Sequence, residues 1–296
     1  MKVPTDYFKV ARIDNWYGWL FSFGFGSILL GLPSSDRFIA AFFAFSFATA
    51  SIFILNQYFD REEDKKNAIK SSLPVASGKV TPRTALILSL SLLTLCLFLV
   101  FLVDMSLLPL FLVYLALWTA YSVPPFRLKA VPIMDFIVSG IGAGLLPFLI
   151  GVNTSHSSSI SISFILMGTT PLMLAHSSGH ILQALGDYEA DHKTGVQTFA
   201  VKCGRKKGII IVGLLSLITG LFPFIYAALG LLPFNYFLLF FLPLPFCMPV
   251  AKRYLIATKN PTTENLVNLQ KTARKYGIAI MVVVGAYVFV GKMLGL

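Results

Sequence analysis

Asn56, Asp60 and Asp64 follow one another at intervals of four, and so do Gln183, Asp187 and Asp191. The two sets stand 127 residues apart. Residues four apart share one face of a helix, so each set forms a polar stripe of one amide and two carboxylates. Oxygen ligands of this kind suit Mg²⁺, which takes one or two carboxylates and completes its shell with phosphate oxygens and water. Two such stripes facing each other describe a site for a divalent metal and an anion. A single stripe reads equally well as solvated loop acids balanced by Arg61, Lys65, Lys66 and Lys193. Two copies in a chain with only 13 acidic residues argue for function.

The elements that must carry these stripes are membrane helices. The 296 residues are 56% hydrophobic and 12% charged, against about 25% charged in a soluble domain. A span needs about 20 apolar residues. Nine candidates lie near 16–33, 38–58, 84–103, 107–122, 133–152, 160–183, 208–229, 233–251 and 276–294. The expected fold is an all-α polytopic bundle of about nine transmembrane helices around a central cavity. Residues 1–7 are polar with no small-residue cleavage site after them, so no removable signal peptide is expected.

The net charge of +11 does not point to nucleic acid, because of where the charge lies. With nine spans, 22 of the 24 Lys and Arg fall on one side, leaving only Arg37 and Lys292 on the other. This positive-inside bias puts the N-terminus and both aspartate stripes on the cytoplasmic side and the C-terminus outside. The basic loops then form a cytoplasmic cap that touches anionic lipid of the bilayer. Cys96, Cys203 and Cys247 have no pairing or zinc-ligand spacing.

The 127-residue offset continues beyond the stripes. Val75-Ala76-Ser77-Gly78-Lys79 follows the first and Val201-Lys202-Cys203-Gly204-Arg205 the second, at offset 126. The chain reads as one domain over 1–296, with parallel pseudo-repeats at about 16–122 and 133–251 and a final span at 276–294. Parallel copies let the two stripes converge from opposite sides of a bundle.

Outside the stripes, Arg127 and Lys129 are cations on a short loop, able to hold phosphate as a fork and a point charge. Pro124-Pro125 ends the preceding helix. His176 and His180 share a helix face and read as neutral bundle histidines or as acceptor contacts. Asp135 reads as an acid favoured by a helix N-terminus. Arg12 and Asn15 stand near the first span, where they could touch the acceptor of a group-transfer reaction. Two known kinds of membrane protein also use aspartates in this way. A CDP-alcohol phosphatidyltransferase would carry Asp-Gly-x2-Ala-Arg, which is absent. A cation-coupled transporter would set its acids near the bilayer midplane, not at helix ends.

The motifs resemble those of the UbiA superfamily of intramembrane prenyltransferases. Asn56, Asp60 and Asp64 match its Asn-x3-Asp-x3-Asp motif. Asp187 and Asp191 match its second Asp-x3-Asp pattern, with Lys193, Gly195 and Thr198 as Lys-x-Gly-x-x-Thr. Tyr121-Ser122-Val123-Pro124-Pro125-Phe126-Arg127-Leu128-Lys129 resembles its Tyr-Ser-x-Pro-Pro-x-Arg-x-Lys stretch. Two positions depart from the pattern: Gln183 stands where a third acid is common, and Leu73 where an arginine precedes Pro74, so phosphate contact shifts to Lys70 or another cation.

The resemblance implies Mg²⁺-dependent transfer of a prenyl group from an allylic isoprenyl diphosphate, such as geranyl or geranylgeranyl diphosphate. The acceptor would be hydrophobic or aromatic, a quinone or ether-lipid precursor above all. Asn56, Asp60, Asp64, Asp187 and Asp191 would bind about two Mg²⁺ ions, or Mn²⁺. Asn56, Lys70, Arg127, Lys129, Lys193 and Gln183 would hold the diphosphate. Asp60, Asp64, Asp187, Asp191 and Lys129 would act in catalysis.

Overall fold

The computed structural model describes residues 5–29, 33–67, 70–155, 162–231 and 238–294. Lys2 and parts of three expected spans (30–32, 160–161 and 233–237) lie outside the described residues. Among the described residues every regular element is helical. Helices α1 (Thr5–Val10), α2 (Tyr17–Leu29), α3 (Ser35–Lys66) and α4 (Pro82–Val103) lead to α5 (Leu108–Ser122). Helices α6 (Met134–Ser139) and α7 (Leu146–Val152) follow, joined by a π turn at Gly140–Leu145. The second half holds α8 (Ile162–Thr194), α9 (Phe199–Cys203), α10 (Arg205–Ala228), α11 (Leu238–Phe241), α12 (Leu244–Lys259) and α13 (Thr263–Met293).

Six stretches among the described residues are long and apolar enough to cross a membrane. They are α3, α4, residues 105–122, residues 134–152, α10 and α13. The expected spans near 16–33, 160–183 and 233–251 correspond to the 13 described residues of α2, to α8 and to the 16-residue α12. Helix α8 is long, but His176, Ser177, Ser178 and His180 dilute its hydropathy.

Helices α3 and α13 overrun their expected spans. The 38–58 span is the middle of a 32-residue helix, and the 276–294 span is the later half of a 31-residue one. Hydropathy stops where charge begins, but Glu, Asp, Arg and Lys do not break helices. Lys65 and Glu62 pair one turn apart, 3.0 Å, along the continuation. Each overrun carries polar side chains beyond the apolar layer without interrupting the backbone.

Capping marks the starts. Thr81 accepts a hydrogen bond from the Thr84 amide at 3.2 Å ahead of Pro82, and Thr262 accepts from the Asn265 amide at 3.3 Å. Small residues let the middle of the bundle close up. A Cβ on Gly26 would sit 2.2 Å from the Phe148 carbonyl oxygen, and one on Gly151 2.0 Å from that of Phe23. Gly140 and Gly144 likewise meet the Met173 backbone within 3.0 Å. The α6–α7 segment is thereby wedged against α2 and α8, and it is the most enclosed of the six. Helix α3 packs along α4, and α8 along α10. Each stripe thus lies on the first helix of a hairpin.

Candidate functional site

A cavity of about 1590 Å³ is lined by the stripe ends of α3 and α8 and by apolar side chains of α2, α10 and α13. Asn56, Asp60, Asp64, Gln183, Asp187 and Asp191 all line it. The two sets that share a spacing in the chain therefore share one chamber.

The first stripe is enclosed, with Asp60 and Asp64 only 7% and 8% exposed. The Asn56 amide donates to Asp60 Oδ2 at 2.8 Å and to Ser122 Oγ at 3.1 Å. Both of its N–H bonds are used, so its remaining polar atom is a carbonyl oxygen, a cation ligand. Ser122 closes α5, and Val123, Pro124 and Pro125 stop that helix. Arg127 then adopts a left-handed conformation, φ 42°, and a single 3₁₀ turn at Leu128–Ala130 follows. That turn presents Lys129 to Asp60, with Nζ donating to Oδ1. Arg127 does not line the cavity. It bonds Glu63 and lies 3.7 Å from Asp60.

The second stripe ends at a glycine. Gly195 adopts φ 76°. The Val196 amide donates to the Asp191 carbonyl at 3.0 Å and the Gly195 amide to that of His192 at 3.4 Å. This is the Schellman pattern, and it fixes Asp191 in the last turn. Thr198 caps α9, accepting from the Val201 amide at 3.4 Å, and its hydroxyl lies 3.5 Å from Asp191 Oδ2. The Lys-x-Gly-x-x-Thr spacing is thus a helix stop followed by a helix start. Lys193 is exposed and is not among the cavity-lining residues, so the structure sets it apart from the other proposed phosphate ligands. Gln183 lines the cavity one turn before Asp187.

Lys70 joins the two stripes. It follows α3 in the chain, yet its Nζ lies 3.0 Å from Asp187 Oδ2 on α8. Burial alone would lower its pKa. The charge and hydrogen bond of Asp187, with Asp64 and Asp191 behind them, outweigh that and hold it above the ordinary lysine value. One ammonium therefore sits in the field of carboxylates from both stripes. Lys70, the cation expected to stand in for the arginine missing at Leu73, lines the cavity.

Several neighbours carry no periodic signal in the sequence. Gln57, 1% exposed, donates to the Val10 carbonyl at 2.6 Å and pins α1 to α3. Arg12 follows that helix and lines the cavity. Burial lowers its pKa while Asp64, Asp14, Asp187 and Asp60 pull the other way, so it too faces both stripes. Arg205 donates to Thr263 Oγ1 at 2.7 Å, pairs with Glu189 at 2.9 Å and covers the Tyr188 ring at 4.7 Å. It ties the second stripe to the starts of α10 and α13. A buried glutamine in an apolar run was the one advance sign of these contacts.

The remaining candidates have partners. His176 shares a hydrogen bond with Ser22 at 3.1 Å, and His180 one with Tyr121 at 3.3 Å; both line the cavity. Asp135 accepts from the amides of Phe136 at 2.9 Å and Phe199 at 2.8 Å, which anchors α9. Trp19 stacks on Trp118 at 4.4 Å and lies 5.0 Å from Phe53. With Tyr121 these rings form an aromatic wall just below the first stripe.

The donor set fits Mg²⁺. No three His, Cys, Asp or Glu side chains among the described residues converge on one metal-binding point. The acids come instead as two pairs, the number Mg²⁺ takes when phosphate oxygens and water supply the rest. All offered atoms are hard oxygens, and the negative field already draws Lys70 and Lys129 inward.

Residues 19–273 match the model of the UbiA prenyltransferase family. The chain is 36% identical over 181 residues to a chloroplastic 2-acylphloroglucinol 4-prenyltransferase of Humulus lupulus, covering 58% of this chain and 42% of that one. It is 28% identical over 171 residues to a digeranylgeranylglyceryl phosphate synthase of Methanothrix thermoacetophila, covering 58% and 60%. The chain thus spans less than two thirds of either relative. In fold it is similar to a UbiA homologue from Archaeoglobus fulgidus bound to GPP and Mg²⁺. The TM-score is 0.68 at 22% identity, covering 94% of this chain and 100% of that one.

Proposed function

The chain belongs to the UbiA prenyltransferase family, and we propose that it transfers a prenyl group from an allylic isoprenyl diphosphate to a lipophilic or aromatic acceptor. The observation that carries this reading is Lys70, held 3.0 Å from Asp187 and in the field of Asp64 and Asp191. It marks one anion-and-cation chamber built from both stripes. Asp60, Asp64, Asp187 and Asp191, with the Asn56 carbonyl oxygen, would hold about two Mg²⁺ ions. When bound, the metal neutralises charge on the diphosphate and makes it a better leaving group.

The protein groups do the rest. Lys70 and Lys129 hold the diphosphate oxygens and take up charge as the C–O bond breaks. Arg127 stands behind Lys129 and orients Asp60 and Glu63; Gln183 offers a neutral contact. The bonding electrons leave with the diphosphate, and the Trp19, Trp118 and Tyr121 faces shield the allylic cation from water and stabilise it. The acceptor attacks the cationic carbon and loses a proton.

We read the chain as one domain of two parallel repeats in a multi-pass membrane bundle, with the chamber on the cytoplasmic side. The basic loops support that orientation. The purified protein in lipid nanodiscs, given geranylgeranyl diphosphate and Mg²⁺, should release diphosphate when an acceptor is added. Release that is unaffected by Asp187→Asn would contradict this reading.

A further inference from the structure

The cavity is larger than a single ligand requires. At about 1590 Å³ it exceeds the roughly 300–1,000 Å³ of an ordinary small-molecule pocket. Its polar end also has two charged regions. The first is the chamber of the two stripes, where Lys129 meets Asp60 and Lys70 meets Asp187. The second lies on α13, where Lys271 and Arg274 line the same cavity, and Arg12 on the turn before α2 faces both this region and the stripes. Among the described residues, no ion pair joins Lys271 or Arg274 to a stripe aspartate.

Arg274 is held from one side. Its Nη2 bonds the Asp14 carbonyl oxygen and lies 3.4 Å from the Asp14 carboxylate, and its guanidinium covers the Tyr17 ring at 5.4 Å. The Asp14 side chain is 72% exposed, so that ion pair is weak and an incoming anion competes with it. Asn15, with its amide turned to accept, takes two hydrogen bonds from Arg12 at 3.0 Å. The turn before α2 thus fastens both arginines.

Below these cations α13 supplies an apolar lane. Lys271, Arg274, Gly277, Met281 and Val284 line the cavity at intervals of three and four, so they share one helix face. A cationic end followed by about two turns of apolar surface matches an amphiphile with an anionic head. Helix α13 packs on α8 beside the second stripe, where a Cβ on Gly186 would lie 3.4 Å from Gln270 and 3.7 Å from Val267, so the lane runs alongside that stripe.

We infer that Lys271, Arg274 and Arg12 anchor the anionic head, a phosphate or a carboxylate, of a lipophilic acceptor whose tail lies along α13. This rests on the prenyl-transfer reading and adds the charge of the acceptor to it. Positive-inside topology explains basic residues in the loops, but it does not require them to line a cavity.

The test measures acceptor binding to the full-length protein in nanodiscs, without donor or metal, so it stands even if donor binding fails. The probes are a long-chain glyceryl ether phosphate, its dephosphorylated alcohol, 4-hydroxybenzoate and phenol. The anionic member of at least one pair should bind tighter than its neutral partner. Arg274→Ala and the milder Lys271→Gln should each weaken that probe by about tenfold or more, the scale of a lost charge-assisted hydrogen bond. Arg274→Lys should recover part of it, while the affinity for Mg²⁺ and geranylgeranyl diphosphate stays unchanged. Loss for the phosphate pair alone assigns a phosphate head, and loss for the carboxylate pair alone a carboxylate head. Equal binding of charged and neutral probes, unchanged affinity in both variants, or equal displacement by phosphatidic acid would each overturn the inference. The last would mark a bilayer-lipid site.

Discussion

The two stripes have the same spacing and different surroundings. Asp60 and Asp64 are buried, and Asp60 is served by its own half of the chain, through Lys129, Arg127 and an Asn56 held by Ser122. Asp187 and Asp191 are partly buried, the Asp187 side chain 12% exposed, and the lysine that pairs with Asp187 comes from the first half. The first stripe is a preformed wall. The second is completed by a loop cation, Lys70, that comes from the other half. A repeated motif therefore reports repeated ligands, while its neighbours decide how rigid each copy is.

The largest expected effect erases the comparison. Asp60→Asn and Asp187→Asn should each lower kcat/KM by about 10³-fold, the upper scale for one missing electrostatic contact in a transition state. Steady-state kinetics at saturating Mg²⁺ checks this, and a loss confined to one stripe would break the two-sided site.

The next effect separates the stripes by stability. Lys129 and Asp60 are 14% and 10% exposed as side chains, so Lys129→Ala leaves a buried carboxylate with only the Asn56 amide and the 3.7 Å approach of Arg127. It should cost about 3 kcal/mol, as when one partner of a buried pair is removed. Lys70→Ala breaks the more exposed pair, 27% and 12%, and should cost about 1 kcal/mol. Thermal melting in detergent measures both. Equal losses would contradict the contrast in rigidity.

A third comparison concerns metal. Because Lys70 competes for Asp187, Lys70→Met should lower the Mg²⁺ concentration at half-maximal donor binding, although the donor itself binds about tenfold less tightly. Lys129→Met should weaken donor binding without that shift. Titration with Mg²⁺ by calorimetry distinguishes them.

Smaller effects sharpen the second stripe. Gly195→Ala forces a Cβ into a left-handed helix stop and should cost about 1 kcal/mol, with Asp191 loosened and kcat lowered a few-fold. Gly78→Ala, at φ 76° in the loop after α3, should cost a similar amount in melting temperature with little effect on kcat. Smallest of all, Thr198→Val should lower activity about two-fold, since its 3.5 Å approach to Asp191 is a weak bond.

The motif residues were legible because helical spacing and charge scarcity are local properties. Asn56, Asp60, Asp64, Gln183, Asp187 and Asp191 all reach one cavity, and Arg127 and Lys129 meet the first stripe. The length of α3 and α13 was not legible, because hydropathy marks the apolar layer and not the end of a helix. Nor were Gln57 and Arg205 in their roles, since their partners are set by how distant helices cross. Lys70 was named only as a substitute for a missing arginine; its contact with Asp187 spans 117 residues of chain. Lys193 satisfied the motif and still lies apart from the cavity-lining residues, because two residues after Asp191 it falls on the opposite face of α8.

The central claim is that one diphosphate is held by metal shared between both stripes. Binding of geranylgeranyl diphosphate, with and without Mg²⁺, to wild type, Asp60→Ala and Asp187→Ala tests it directly. The account expects tight binding only for wild type with Mg²⁺, and loss in each single variant. Metal-independent binding, or binding that survives Asp187→Ala, would contradict it.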